Sequence, residues 1–140
     1  MQANPTDNTA AYDVALLRIS LGVMWIAHAL LKLFVFTLPG TAQFFESVGL
    51  PGILAYPVFA AELLGGTAIL LGLYARQVSL ALTPIVVGAA SVHFGNGWLF
   101  TNPGGGWEYP VFLVAASVAL WLAGDGALAL RRSQRFVPAL

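Results

Sequence analysis

Four long apolar segments dominate this sequence and constrain its fold more than any other feature. They cover approximately residues 14–36, 52–73, 78–94 and 110–130. A helix needs about 20 mostly apolar residues to cross the hydrocarbon core of a bilayer, and each segment reaches or approaches that length. The segments lack the alternation of a membrane β-strand, and helices satisfy their own backbone groups in lipid. The sequence therefore predicts an all-α, membrane-spanning four-helix bundle.

The composition also indicates a chain that lives in lipid. Of the 140 residues, 59% are hydrophobic and 9% are charged, whereas soluble domains carry about 25% charged residues. Six basic residues balance six acidic ones, which argues against a nucleic-acid partner and leaves the bilayer as the expected one. Because the chain has no cysteine, it holds no disulfide, thiolate zinc site or iron–sulfur cluster, and no other metal site is predicted.

The same segments define the domain organisation. We expect a polar N-terminal tail at 1–13, a membrane domain at 14–130 and a basic C-terminal tail at 131–140. The first span is expected to stay in the protein rather than act as a cleaved signal peptide, because no lysine or arginine precedes it and Arg18 interrupts it.

The positions of the basic residues predict the orientation in the membrane. If four helices alternate in direction, five arginines lie on one side of the bilayer: Arg18, Arg76, Arg131, Arg132 and Arg135. Basic residues near spans favour the cytoplasm. Both termini are therefore expected to be cytoplasmic, with loops 37–51 and 95–109 on the opposite side.

Ionisable residues within the spans are the clearest indication of function. Each costs about 2.5–3.5 kcal/mol to insert into lipid, yet the chain keeps five of them inside or at the edge of a span: Arg18, His28, Lys32, Glu62 and His93. At about 100° per residue, Arg18, Trp25, His28 and Lys32 share one face of the first span. That face is expected to point into the bundle.

Depth along the spans divides these residues into two predicted layers, at about 1.5 Å per residue. Arg18 and Glu62 are expected to pair near the middle of the membrane. His28, Lys32 and His93 are expected to lie together beneath the loops, where Glu108 can join them.

Each of these assignments also has a purely structural interpretation. Charges in lipid need partners whether or not they act on a ligand. A histidine can serve only as a hydrogen-bonding group. Lys32 lies near a helix end and can extend its ammonium group to the interface.

Seven short motifs, in order, resemble the DoxX family of small four-helix membrane proteins. They are LLRI at 16–19, AHALLKLF at 27–34, FESVGLP at 45–51, AELLGG at 61–66, LGLYAR at 71–76, VHFGNG at 92–97 and GGGWEYP at 104–110. The resemblance covers approximately residues 14–126. It implies a bacterial or archaeal inner-membrane protein. Relatives are linked to redox work, including a subunit of a thiosulfate:quinone oxidoreductase, thiol or superoxide defence, and catechol or quinone resistance.

Three functions stay open on the sequence, and the first is a quinone-interacting redox subunit. Its site would lie between the helices in the outer half of the bilayer. The expected catalytic residues are His28, Lys32, Glu62 and His93, and the expected ligand-binding residues are Arg18, Trp25, Trp107 and Glu108. Quinone reduction takes two protons with two electrons, and a histidine beside a carboxylate can supply protons. With no electron carrier evident in the chain, electrons must come from a partner oxidoreductase subunit or directly from a substrate.

The other two functions need no chemistry from the chain. One is a non-catalytic membrane anchor or assembly subunit for a partner oxidoreductase. The other is a small transporter, which would require a homo-oligomer to form a path. A haem held by His28 and His93 is not favoured, since two histidines at similar depth are a weak signal.

Overall fold

The computed structural model describes residues 6–134, which form five α-helices and no β-strand. The helices are α1 (Thr6–Leu30), α2 (Leu38–Ser47), α3 (Ala55–Leu71), α4 (Ala75–His93) and α5 (Glu108–Ala123). Three shorter helical turns extend or precede them: a π-helical turn at Leu31–Val35, and 3-10 turns at Gly52–Leu54 and Phe94–Asn96. The predicted all-α fold is confirmed.

Among residues 6–134, three helical stretches are long and apolar enough to cross a membrane. They are Thr9–Val35, Gly52–Leu71 and Ala75–Asn96. The last helix, α5, is apolar but has only 16 residues, a length of about 24 Å. It ends at Ala123, short of the predicted 130, because Gly124 and Gly126 adopt positive φ angles of 103° and 73°, which a helix does not accommodate.

The helices α1, α3, α4 and α5 pack in a ring, in which α1 and α4 each contact both α3 and α5. Glycines bring α1 and α3 close together: a Cβ atom at Gly22 would lie 2.7 Å from Leu70 Cα, and one at Gly66 would lie 2.7 Å from Trp25 Cβ. Small residues permit such close approach between membrane helices. The pairing of Gly22 with Leu70 and of Trp25 with Gly66 makes α1 and α3 antiparallel and fixes their register. Side chains from all four helices form the core: Leu21, Trp25, Ile69, Leu82, Val86, Ala116 and Leu120.

The bundle has two different ends. The cavity end holds α2 and residues 97–107, and the tail end holds the 72–74 turn and residues 124–134. At the tail end Leu73 and Arg131 form an isolated β-bridge, and the Asp125 carboxylate accepts hydrogen bonds from the backbone N–H groups of Arg76 and Ser133. Arg135, the last of the predicted basic cluster, lies outside the described residues.

Helix α2 occupies a stretch that the sequence predicted to be a loop. The Thr37 hydroxyl accepts a hydrogen bond from the Gly40 N–H at 3.1 Å and caps the helix. Pro39 lies in the first turn, where its missing N–H costs nothing. Gly49, with a φ of 83°, follows the end of the helix. Proline and glycine therefore delimit a helix here instead of a loop, and α2 covers one end of the bundle.

Candidate functional site

A cavity of about 700 Å³ lies among the helices at the cavity end. Side chains of α1, α3, α4 and α5 form its walls, and α2 covers it with Thr41, Phe44 and Phe45. Most of the lining is apolar, including Met24, Leu54, Val58, Ile85, Val92 and Leu113. Small-molecule sites commonly have this size and character, with a few polar groups on an apolar wall.

Five of the predicted site residues line this one cavity: Trp25, His28, Lys32, Glu62 and His93. Trp25 is 6% exposed and belongs to the core, and the Glu62 residue is 4% exposed. His28, Lys32 and His93 are half-buried. The structure thus brings together residues of three helices that the sequence separates by up to 68 positions, while their roles toward a ligand stay predictions.

Lys32 and Glu62 form a two-point ion pair on the cavity wall. The Lys32 Nζ lies 2.9 Å from Glu62 Oε1 and 2.8 Å from Oε2. Their side chains are 17% and 5% exposed. Lys32 lies in the π-helical turn at Leu31–Val35, and such turns often occur at functional positions in helices.

The predicted pairing of Arg18 with Glu62 is wrong. Arg18 Nη1 donates hydrogen bonds to the carbonyl oxygens of Ile69 (3.2 Å) and Leu70 (2.6 Å), and Nη2 donates to Ala127 O at 3.0 Å. Arg18 is 1% exposed and lies at the tail end, away from the cavity.

The direction of helical side chains explains this partner exchange. A side chain on an α-helix leans toward the N-terminus of its helix. In antiparallel α1 and α3, Arg18 therefore leans toward the tail end and Glu62 leans toward the cavity end, so the two diverge. Lys32 starts near the cavity end and leans inward, so it converges on Glu62.

The two histidines have the same hydrogen-bonding pattern. His28 Nδ1 donates to Met24 O at 2.8 Å, and His93 Nδ1 donates to Gly104 O and Gly105 O at 3.0 and 3.1 Å. Because a carbonyl oxygen only accepts, Nδ1 of each ring carries the hydrogen. The Nε2 atom of each neutral ring is then an acceptor, and neither has a partner within the described residues.

Trp107 and Glu108, predicted to bind ligand, lie outside the wall of this cavity. The Trp107 ring packs against Phe94 and Trp98, with centroids 5.2 and 4.5 Å apart. Glu108 Oε1 accepts a hydrogen bond from the Phe100 N–H at 2.9 Å. Glu108 borders a second, shallower groove, which it shares with His28, and so lies beside the predicted layer rather than within it.

Sequence reasoning missed Tyr109 as a cavity residue. Its ring stacks on His28, with centroids 5.6 Å apart and planes 19° apart. Its hydroxyl is buried and has no hydrogen-bond partner within the described part of the chain. The available signal was its position in the first turn of the last helix, three residues after the glycine run at 104–106.

Within residues 6–134, no group of three or more His, Cys, Asp or Glu side chains is arranged to hold a metal ion.

Comparison with known proteins identifies a matching family and a relative. The sequence model of the DoxX family matches residues 14–95. A Bacillus subtilis (strain 168) protein named "Putative oxidoreductase CatD" is 34% identical over 115 residues, which cover 82% of this chain and 81% of that protein. No solved structure gives a significant match. The family match spans more than half of the chain and includes His28, Lys32, Glu62 and His93 of the cavity wall, so this chain is a multi-pass membrane protein that belongs to the DoxX family.

Proposed function

We propose that this protein binds a quinone ring in the cavity and takes part in its reduction as a membrane subunit of an oxidoreductase. The observation that carries the proposal is an apolar cavity of about 700 Å³ with a lysine–carboxylate pair and two imidazoles on its wall. A quinone is a flat, apolar ring with two carbonyl oxygens. It matches an apolar wall with a few polar groups better than a sugar or a multiply charged ligand does.

Each polar group has a defined capacity toward such a ring. Two of the three Lys32 Nζ hydrogens bind Glu62, so the third is free to donate to a carbonyl oxygen. The Nε2 atoms of His28 and His93 accept a hydrogen bond when neutral and donate one when protonated. Glu62 and the histidines can therefore exchange protons with the ring oxygens.

The overall reaction requires a source of electrons as well as protons. One quinone takes up two electrons and two protons to give one quinol. In the proposal, the polar groups of the cavity pass on the protons, and a partner oxidoreductase subunit supplies the electrons. The name of the Bacillus subtilis relative, which contains the word oxidoreductase, supports this assignment.

The proposal includes a topology in the membrane. We place α1, α3, α4 and α5 across the inner membrane of a bacterium, with both termini in the cytoplasm. The tail end then faces the cytoplasm with Arg76, Arg131 and Arg132, as the distribution of basic residues near spans favours. The cavity lies in the outer half of the bilayer. Exposed apolar side chains on the helices are available to lipid, to a partner subunit or to a second copy of the chain.

Quinone binding can be tested with the fluorescence of Trp25, which lies on the cavity wall. The protein is placed in lipid nanodiscs and titrated with dimethoxymethylbenzoquinone. We expect saturable quenching that is lost in Trp25→Phe, which retains the other three tryptophans and corrects for non-specific quenching. His28→Ala and His93→Ala are expected to weaken binding by about tenfold or more, since each removes a ring nitrogen from the wall.

A matched control and two other outcomes complete the test. Thr67 lies on an exposed face of α3, and its hydroxyl donates a hydrogen bond only to its own helix. The Thr67→Ala variant is therefore expected to bind the quinone ring as the wild type does. Wild-type affinity in both histidine variants contradicts the proposal. A stable, stoichiometric partner without quinone binding favours an anchor subunit, and solute uptake by reconstituted vesicles favours a transporter.

A further inference from the structure

The cavity wall between α3 and α4 is open. Pro84, Gly88 and Ala89 of α4 line the cavity, and each of them is exposed rather than buried. Val58 of α3, half-buried, lines the cavity as well. We call this opening, defined by these four residues, the α3–α4 portal.

The portal is open because its α4 side carries almost no side-chain volume. A Cβ atom placed on Gly88 would meet no heavy atom within 4 Å. Ala89 adds only a single methyl group. Pro84 lies one turn before Gly88 within the same helix, and it carries no backbone N–H. The wall between α1 and α5 differs, because His28 stacks on Tyr109 there and separates the cavity from the shallower groove beside it.

The position of the portal indicates what passes through it. Gly88 lies 13 residues into α4, about 20 Å along the helix, within the stretch Ala75–Asn96 that is long and apolar enough to cross a membrane. An opening at that depth faces acyl chains rather than water. Next to Gly88 in the sequence, the apolar Val87 of α4 is 50% exposed.

We infer that the α3–α4 portal admits the ligand sideways from the bilayer and that the ligand is a lipid-borne quinone, whose polyprenyl tail lies in the portal while its ring lies in the cavity. This inference rests on the proposed function and adds the class of quinone. A tail in the portal stays in apolar surroundings along its whole length, so no hydrocarbon is exposed to water when the ring binds.

The test compares one portal variant with a matched glycine variant outside the cavity. Gly88→Phe adds a ring to the portal at a position where a Cβ atom meets no heavy atom within 4 Å. Gly95→Phe places the same side chain on a glycine that also has no heavy atom within 4 Å of its Cβ but does not line the cavity. Each protein, in nanodiscs, is titrated with ubiquinone and with its tail-free ring, dimethoxymethylbenzoquinone, and quenching of Trp25 is recorded.

We expect Gly88→Phe to weaken ubiquinone binding by about tenfold or more and to leave the affinity for the tail-free ring within about twofold. Gly95→Phe is expected to change neither. Equal ubiquinone affinity in Gly88→Phe and the wild type overturns the portal. So does an equal loss for both ligands, which would mean that Gly88 only borders the ring site.

Two further results separate the portal from the proposed function. If the wild type binds the tail-free ring but gains no affinity from the tail, the portal is overturned and the proposed function stands. If the wild type binds neither ligand, both are overturned. The mass of each protein in detergent is measured as well, because a wild-type dimer that Gly88→Phe converts to a monomer identifies a second copy of the chain as the occupant and overturns the portal.

Discussion

The Lys32 ammonium group contacts both carboxylate oxygens of Glu62, at 2.9 and 2.8 Å, and joins the π-helical turn after α1 to the middle of α3. The two side chains are 17% and 5% exposed. In such a pair, the loss of hydration is balanced by mutual attraction and hydrogen bonding. Neither charge is well accommodated without the other.

The first prediction follows from this balance. Lys32→Met leaves the Glu62 carboxylate buried without its partner, and we expect the free energy of unfolding to fall by about 3 kcal/mol. The double variant Lys32→Met/Glu62→Leu removes both charges and is expected to recover at least half of that loss. Unfolding in detergent, followed by circular dichroism, measures both values. A double variant no more stable than Lys32→Met contradicts the prediction.

A second prediction concerns Arg18, whose guanidinium spans three carbonyl oxygens on two segments. Arg18→Lys keeps the charge but cannot reach all three acceptors with its compact ammonium group. We expect a loss of about 2 kcal/mol, because buried carbonyl groups lose their donors. Arg132→Lys, at an exposed position, is the matched control. Because Arg18 lies outside the cavity, Arg18→Lys is expected to retain the wild-type affinity for the quinone ring. A lower affinity in this variant would contradict the finding that Arg18 binds carbonyl oxygens at the tail end and not Glu62.

A third prediction tests the close approach of α1 and α3. A Cβ atom at Gly22 would lie 2.7 Å from the backbone of Leu70, whereas one at Gly88 would meet nothing within 4 Å. Gly22→Ala is expected to destabilise the protein by about 1–3 kcal/mol, because the two backbones must separate. Gly88→Ala is expected to be neutral or slightly stabilising, as alanine favours a helix. Thermal unfolding of the two variants distinguishes them, and equal melting temperatures would mean that the helices do not meet at Gly22.

A fourth prediction uses the hydroxyl of Tyr109, which has no hydrogen-bond partner among residues 6–134. Burying a hydroxyl without a partner costs about 1–3 kcal/mol, so its removal in Tyr109→Phe is expected to leave the ligand-free protein equally stable or more stable. Tyr109→Ala also removes the ring that stacks on His28 and is expected to be destabilising. A drop in the melting temperature of Tyr109→Phe would show that the hydroxyl has a partner in the folded protein.

Much of the fold could be predicted from the sequence, because membrane helices carry a strong compositional signal. At most ends of α1, α3, α4 and α5, the boundary predicted from the apolar runs agrees with the structure to within a few residues. The helical periodicity of α1 correctly placed Arg18 and Trp25 on its buried face. It also placed His28 and Lys32 on the cavity side, since both line the cavity.

The rest depended on contacts that the ends of apolar runs do not specify. The register of α1 against α3 is set by Gly22 and Gly66, and it gives Lys32 rather than Arg18 to Glu62. Counting depth from uncertain span ends could not resolve that choice. Helix α2 was not predicted, because Pro39 and Gly40 are typical of a loop. The sequence indicates a helix here only when Thr37 is recognised as its N-terminal cap. The π-helical turn is a tertiary adjustment without a clear sequence signal.

The guanidinium of Arg18 has a wider consequence for traffic through the bundle. It fills the space between α1, the last turn of α3 and residue 127, with donors fixed to three carbonyl oxygens. A solute moving lengthwise from the cavity toward the tail end would have to break those bonds and displace a buried cation. The bundle is thus closed at its tail end, and traffic to and from the cavity is directed to the proposed α3–α4 portal.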